Sequence, residues 1–258
     1  MPKIHPSACV DPGSELHETV EVGPFAIVGP EVQIGEGTRL LAYAQVQGRT
    51  QIGAHNTVHS HCVLGGPPQD KKYKGEPTQL VIGDRNTFRE CCTVNLGTVQ
   101  DGGVTLVGDD NWIMAYVHIA HDCRVGSHTI MANAVQLAGH VQVGDWAILG
   151  GITGVHQFVR VGAHAMTGAG TTLIQDLPPY VMATGNPASP HGINVEGLKR
   201  RGFAEEDIQS LRRAYKQVYK SGHTLAEALA GLASEAGERP TLGLFHRFLS
   251  TPGRGIVR

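Results

Sequence analysis

An apolar residue returns at every sixth position along most of this chain, and that period limits the possible folds more than any other feature of the sequence. The series runs from Ile4 to Leu64, resumes from Ile82 to Val94, and resumes again from Val107 to Val161 and, past Thr167, to Leu173. An amphipathic helix cannot sustain such a series, because its apolar positions repeat every 3.6 residues. Hexad repeats are typical of a parallel β-helix, in which three hexads close one triangular coil and the recurring apolar residue points inward.

Two segments interrupt the hexads, and we expect both to leave the coil as external loops. The first runs from about residue 66 to 79 (GPPQDKKYKGEPTQ), and the second from about 97 to 103 (GTVQDGG). Both are polar and carry the glycine and proline residues that mark loops. Long loops on a rigid scaffold often carry binding residues, so both are candidates for a site.

Towards the C-terminus the hexads give way to helical spacing. The segment 204–221 places apolar residues on one helical face, and 224–237 and 239–251 are predicted as two further short helices. We therefore expect a parallel β-helix over residues 1–190 and a small α-helical domain over residues 191–258.

Composition narrows the functional classes. The formal net charge is −2, which gives no reason to expect nucleic acid as a partner. No apolar run is long enough for a signal peptide or a membrane span, so we expect a cytoplasmic protein without stable membrane insertion. Cys62, Cys92 and Cys123 stand two places before a hexad residue, where small residues recur. They are predicted to be packed thiols rather than disulfides or zinc ligands.

Histidines concentrate in one uninterrupted part of the hexad series. With a coil of 18 residues, His121 should lie directly beneath Gly139, and Asp122 beneath His140. Two more histidines and a glutamine fall within a few residues of the same corner: His118, His156 and Gln157. Several polar groups converging beside bare backbone are the usual mark of a site.

Two kinds of chemistry suit such a cluster. Three convergent neutral imidazoles can bind zinc. Alternatively, a histidine can act as a general base near neutral pH, and a glycine N–H beside it can stabilise an oxyanion, as acyl transfer requires. Isolated histidines elsewhere are expected to be tolerated polar residues at exposed corners: His5, His17, His55, His128 and His164.

Several motifs resemble the UDP-N-acetylglucosamine acyltransferases that open lipid A biosynthesis. They are QDKKYKGEPT, HIAHDCRVG, LAGHVQVG, GGITGVHQF, QDLPPYVMATGNPA and NVEGLKRRGF, and the resemblance covers essentially the whole chain. It implies an all-β left-handed parallel β-helix with a helical C-terminal domain, assembled as a homotrimer with active sites between subunits. It also implies transfer of a 3-hydroxyacyl group from acyl carrier protein to the 3-position of UDP-N-acetylglucosamine, without a cofactor or metal.

The resemblance assigns a role to individual residues. His121 matches the general base, Gly139 the oxyanion-hole N–H, and Asp122 a group that orients His121. Ala169 matches the position that limits acyl-chain length. Arg200, with Arg201 and Lys199, matches the basic surface that receives the acidic carrier protein. The predicted substrate-binding residues are Asp70, Lys72, Asn95, His118, His140, His156, Gln157, Asn194, Glu196, Arg200 and Arg201.

One motif departs from the family pattern. The family commonly reads TIHRGT where this chain reads TVNLGT, so Asn95 and Leu96 replace two basic residues. Either other cations compensate, such as Lys71, Lys74 or Arg89, or the acceptor differs and carries a 3-amino group. Three other interpretations stay open: a metal-dependent enzyme of carbonic anhydrase type, a related acyltransferase that uses coenzyme A, and a non-enzymatic β-helix.

Overall fold

The computed structural model describes residues 1–258 and winds the hexads into a left-handed parallel β-helix with three sheets, A, B and C. The register repeats every coil: Lys3 pairs with Glu21, Cys9 with Ile27, and Glu15 with Gln33. The predicted period of 18 residues per coil is therefore confirmed.

The strands are short and are numbered in chain order. Sheet A contains β1 (Lys3–Ile4), β4 (Glu21–Val22), β7 (Arg39–Leu40), β10 (Thr57–Val58), β13 (Thr87–Phe88), β16 (Trp112–Ile113), β19 (Ile130–Met131), β22 (Ile148–Leu149), β25 (Met166–Thr167), β27 (Val181–Thr184) and β28 (Ser189–Ile193). Sheet B contains β2 (Cys9–Val10), β5 (Ile27–Val28), β8 (Gln45–Val46), β11 (Val63–Gly66), β14 (Thr93–Asn95), β17 (His118–Ile119), β20 (Gln136–Leu137), β23 (Gly154–Val155) and β26 (Thr172–Leu173). Sheet C contains β3 (Glu15–Leu16), β6 (Val32–Ile34), β9 (Arg49–Ile52), β12 (Gln79–Ile82), β15 (Val104–Val107), β18 (Arg124–Val125), β21 (Gln142–Val143) and β24 (Arg160–Val161).

The hexad residues fill the interior of the coil. Nearly all of them end a strand and face inward, and most are fully buried, as at Phe88, Ile119 and Leu137. The thiols of Cys62 and Cys92 are also buried and donate to backbone carbonyl groups, at 2.8 Å from Arg89 O and 3.0 Å from Met114 O. The predicted packing role of these cysteines is confirmed.

Three corners join the sheets, and we name them AB, BC and CA after the sheets they connect. Most turns hold a residue in the left-handed region, and among the non-glycine residues φ runs from 55° at Arg85 to 68° at Tyr180. Asn, Asp and His tolerate that region better than bulky residues do. Residues 67–78 join β11 to β12, and residues 96–103 join β14 to β15. Both loops therefore leave the coil at the BC corner.

The C-terminal region begins with a hairpin rather than a helix. Strand β28 pairs antiparallel with β27, so the predicted division between residues 190 and 191 falls inside β28. Helix α1 (Val195–Arg200) follows, and the hexad analysis missed it because six residues are too few to show helical periodicity. Helices α2 (Glu205–Tyr219), α3 (Leu225–Glu238) and α4 (Pro240–Ser250) occupy the three predicted segments.

The chain then returns to the coil. Val257 N donates to Asp176 O at 3.0 Å, so the last residues are tied to the end of the β-helix. None of the helices has the length and apolar character needed to cross a membrane. The location of the protein in the cell stays a prediction.

Candidate active site

The BC corner collects the two external loops and most of the predicted site residues. His121 and Asp122 turn the chain between β17 and β18, and Gly139 and His140 do so one coil later, between β20 and β21. His156 and Gln157 occupy the coil after that, between β23 and β24. Residues far apart in sequence therefore form one column, because the period of the coil places them at the same corner.

His121 and Asp122 are joined by a hydrogen bond. His121 Nδ1 lies 2.8 Å from Asp122 Oδ2, and the Asp122 side chain is fully buried. Adjacent residues on a strand would point in opposite directions. Here Asp122 takes φ 60° at the corner, and the turn brings both side chains together. Since a carboxylate can only accept, His121 carries its hydrogen on Nδ1, and its Nε2 is left without a partner in the chain.

The second loop holds the Asp122 carboxylate in place. Thr98 donates twice to it, from its N–H at 2.8 Å and from Oγ1 at 2.6 Å. The Asp122 N–H donates to Thr105 Oγ1 at 2.8 Å. Burial alone would raise the pKa of Asp122, but hydrogen bonds from His121 and Thr98 outweigh it and hold that pKa below its usual value. Asp122 is therefore a fixed anion behind His121.

Gly139 lies against the ring of His121. A methyl group at Gly139 would come 2.5 Å from Cε1 and 2.7 Å from Nε2 of His121, so only glycine fits. The Gly139 N–H has no hydrogen-bond partner in the chain. At the CA corner several equivalent N–H groups are satisfied by the next coil, as when Ser127 N donates to Asp145 Oδ1 at 2.8 Å. A free donor thus stands beside a free imidazole nitrogen.

The other histidines of the column have distinct surroundings. His118 Nδ1 lies 2.7 Å from Thr93 Oγ1, and burial, with a smaller effect from His121, lowers the pKa of His118. His140 stacks on Phe158 with ring centroids 4.4 Å apart, and His156 is exposed beside Gln157. One nitrogen or oxygen from each of His121, Asp122 and His140 lies within 4.8 Å of the others.

The predicted sugar-nucleotide residues near this corner divide into two groups. Asp70 and Lys72 lie on the first loop, where the Lys72 N–H donates to Asp70 Oδ1 at 2.9 Å. Asn95 is only 6% exposed, and its Oδ1 has no hydrogen-bond partner. Leu96 is buried against Gly48, in the apolar core. The residue that replaces a family cation is therefore accommodated as a core residue.

Arg201 lies at a different corner. Its guanidinium donates to His164 Nδ1 at 3.1 Å and to Trp146 O at 3.0 Å, and it stacks over the Trp146 ring at 5.2 Å. His164 and Trp146 belong to the CA corner, between sheets C and A. Burial and the positive charge of Arg201 lower the pKa of His164 to about 4, so a neutral imidazole accepts from the guanidinium. Sequence reasoning dismissed His164 as an exposed polar residue, and that expectation is wrong.

Helix α1 carries the remaining predicted contacts. Asn194 is buried and caps α1 by accepting from Gly197 N at 3.1 Å. Glu196, Lys199 and Arg200 are exposed on the same helix. Within one chain these residues lie with Arg201 rather than with His121. Ala169 is exposed at the third corner, AB, between β25 and β26.

An apolar stripe runs along the outer face of sheet A. Its members are the outward-facing first residues of β16, β19, β22 and β25, and register places each above the last: Trp112, Ile130, Ile148 and Met166. The corresponding positions of sheet B are polar or small: His118, Gln136, Gly154 and Thr172. The inward hexad residues are apolar in both sheets, so the difference lies only in the residue that precedes each of them.

Comparisons with known proteins agree with this architecture. A family model described as Udp N-acetylglucosamine O-acyltransferase, Domain 2, matches residues 176–257. A model described as Bacterial transferase hexapeptide (six repeats) matches residues 31–66 and 105–139. The chain is thus matched in both its coil and its C-terminal region.

Full-length relatives give the same result. An acyl-[acyl-carrier-protein]–UDP-N-acetylglucosamine O-acyltransferase of Thiobacillus denitrificans is 57% identical over 258 residues, covering 100% of both chains. One of Burkholderia lata is 54% identical and also covers 100% of both. Among solved structures, LpxA from Acinetobacter baumannii is 45% identical with a TM-score of 0.96, covering 99% of both chains. The UDP-N-acetylglucosamine acyltransferase of Francisella novicida is 41% identical with a TM-score of 0.97, covering 99% of this chain and 94% of that one.

Proposed function

This chain belongs to the UDP-N-acetylglucosamine O-acyltransferase family, and we propose that it carries out the first step of lipid A biosynthesis with His121 as its general base. The reaction moves an acyl group, which we propose to be a 3-hydroxyacyl group, from acyl carrier protein to the 3-hydroxyl of UDP-N-acetylglucosamine. The observation that carries the residue assignment is the pairing of a free His121 Nε2 with a free Gly139 N–H at one corner.

Each chemical step uses a group already in place. His121 Nε2 takes the proton of the sugar 3-hydroxyl as its oxygen bonds to the thioester carbon. Asp122 stabilises the resulting imidazolium through the 2.8 Å bond to Nδ1. The Gly139 N–H donates to the oxyanion that forms. When the carbon–sulfur bond breaks, His121 returns the proton to the departing thiolate, and the base is regenerated.

A homotrimer would complete the site. Apolar residues are exposed along the AB corner, at Phe25, Tyr43, Tyr116 and Ile152. Exposed apolar side chains that recur along one corner favour a protein interface there. If three AB corners meet on a threefold axis, sheet A of one chain faces sheet B of the next. That packing brings the CA corner of one chain, with Arg201, beside the BC corner of its neighbour, with His121. Uridine and phosphate contacts from Asn194, Glu196 and Arg201 then serve the neighbour's site.

The same packing gives the acyl chain a path. The apolar stripe from Trp112 to Met166 would face sheet B of the neighbour, and Ala169 stands at the AB corner that directly follows β25. Burial of methylene groups against this stripe stabilises a bound acyl chain. We propose that Ala169 limits its length.

The carrier protein would dock on the helical region. Lys199 and Arg200 end α1, and exposed cations continue along one face of α2 at Arg212, Lys216 and Lys220. Unpaired surface cations attract an acidic partner and accelerate encounter.

Purified protein should be incubated with UDP-N-acetylglucosamine and a panel of hydroxyacyl carrier proteins, and the products identified by mass spectrometry. O-acylated sugar nucleotide is the expected product. A product formed only from a 3-amino UDP-sugar would instead make Asn95 and Leu96 part of an amine-selective site. Stoichiometric bound zinc without acyl transfer would favour a metal-dependent enzyme, for which His121, Asp122 and His140 are the candidate ligands by distance.

A further inference from the structure

The second loop holds His140 as well as Asp122. Asp101 ends the short 3₁₀-helix Val99–Asp101, and its Oδ2 lies 2.9 Å from His140 Nδ1. The loop is closed on itself, because the N–H groups of Asp101 and Gly103 both donate to Thr98 O, at 3.2 and 3.0 Å. Gly102 and Gly103 take φ 79° and 76°, which glycine adopts without strain. Thr98 and Asp101 are thus presented together by one closed turn.

His140 is held from every side. Its ring stacks on Phe158 at 4.4 Å and meets the His121 ring edge-on at 5.1 Å. The titratable groups facing it are Asp101 at Nδ1, Asp122 with Oδ2 3.8 Å from Nε2, and His121. The nearby Cys123 thiol is neutral, because burial raises its pKa to about 12. Stacking fixes the plane of the ring, and Asp101 is the one group in hydrogen-bonding contact with either nitrogen.

We propose that Asp101 is a positioning residue that fixes a hydrogen on His140 Nδ1 and directs Nε2 into the active site. A carboxylate only accepts hydrogen bonds, so the nitrogen facing Asp101 must carry the hydrogen. The opposite nitrogen then lies on the side of Asp122, where the sugar nucleotide is proposed to bind. Without Asp101, the stacked ring is free to rotate by half a turn or to adopt the other tautomer. The inference rests on the proposed function only for the consequence to catalysis.

The direct test is ¹⁵N NMR of histidine-labelled enzyme without substrate, with His140 assigned from the spectrum of His140→Gln. Wild type is expected to show hydrogen on His140 Nδ1, and Asp101→Ala a mixture or the Nε2 tautomer, with Asp101→Glu restoring the wild-type signal. An unchanged His140 signal in Asp101→Ala overturns the proposal. This readout needs no turnover, so it can fail or succeed independently of the proposed reaction.

Steady-state kinetics provide a second test of the role of Asp101. Asp101→Ala is expected to lower kcat/KM by about 3- to 10-fold, mostly through KM for the sugar nucleotide, because the lost hydrogen bond is charged but half exposed. The matched control is Glu90→Ala, which removes a carboxylate 3.2 Å from His59 Nδ1, at the AB corner. Equal losses in both variants, or a loss confined to thermal stability, would contradict a positioning role.

Discussion

The BC and CA corners are built from the same hexads and from turns of the same left-handed conformation. They differ in whether their polar groups have hydrogen-bond partners. Inside the CA corner Asn56, Asn86 and Asn111 form a ladder in which each side-chain oxygen accepts from the next coil, at 2.9 Å from Asn56 Oδ1 to Asn86 N. One of its outer histidines, His164, is occupied by Arg201. At the BC corner His121 Nε2 and the Gly139 N–H remain free.

The difference shows what marks a reactive corner on a repeating scaffold. A histidine at a turn is common to both corners and identifies neither. A buried carboxylate that orients the ring, together with a neighbouring donor left unsatisfied, is present only at BC. At the CA corner the polar groups instead hold Arg201 in place. A fixed guanidinium suits ligand binding rather than proton transfer.

The largest effect should come from His121→Ala. Loss of a general base costs turnover by a factor of about 100 to 10,000, while the fold should persist because the ring lies at the partly exposed corner. The matched control at the CA corner is His128→Ala, which removes an imidazole stacked on Trp146 at 4.1 Å. Steady-state turnover near the wild-type value in His121→Ala would refute the assignment.

A smaller, selective effect is expected from Ala169→Met at the AB corner. If this position limits chain length, activity with long acyl donors falls while short donors are spared. Each methylene that loses its buried place forfeits about 0.8 kcal/mol, roughly a fourfold change in selectivity. The measurement is kcat/KM across a series of acyl carrier protein donors, and an equal loss at every length would mean that Ala169 only supports the coil.

Arg200→Ala should raise KM for the carrier-bound donor several-fold and weaken its dependence on salt. An exposed cation acts mainly on encounter and is screened by ions. The control is Glu205→Gln, which removes an exposed charge from the first turn of α2. A donor KM that stays constant in Arg200→Ala would place the carrier protein elsewhere.

The smallest effect concerns pH and the CA corner. The pKa of His164 is about 4 in the fold, below the usual histidine value of roughly 6.5. The unfolded chain therefore binds more protons between these values, and this group's contribution to stability is lost as pH falls from about 6.5 towards 4. Urea unfolding at pH 7 and pH 5 should show a larger drop for wild type than for His164→Gln. Equal drops would mean that the pKa of His164 is the same in the folded and unfolded chains.

Much of the fold could be predicted from the sequence. The coil needs one inward apolar residue per hexad to fill its interior, and that residue is visible as a period of six in the sequence. The same period also placed His121 against Gly139. Helix α1 and the contacts of Arg201 with His164 and Trp146 could not be predicted, since they depend on where the C-terminal region folds back onto the coil. Thr98 and Asp101 were missed for a similar reason: a loop outside the repeat has no period from which to locate its side chains.

We proposed that the BC corner of one subunit and the CA corner of the next form one active site. The most direct test is complementation between His121→Ala and Arg201→Ala chains. In the proposed homotrimer, each variant alone should lose most turnover, because one lacks the base and the other lacks the proposed phosphate contact. Trimers containing both chains can be isolated by co-expression with two different affinity tags. If each site takes His121 from one subunit and Arg201 from the next, every mixed trimer has one intact site, and turnover should recover to about one third of wild type. Mixed trimers no more active than the pure variants would show that the two corners do not meet in one site.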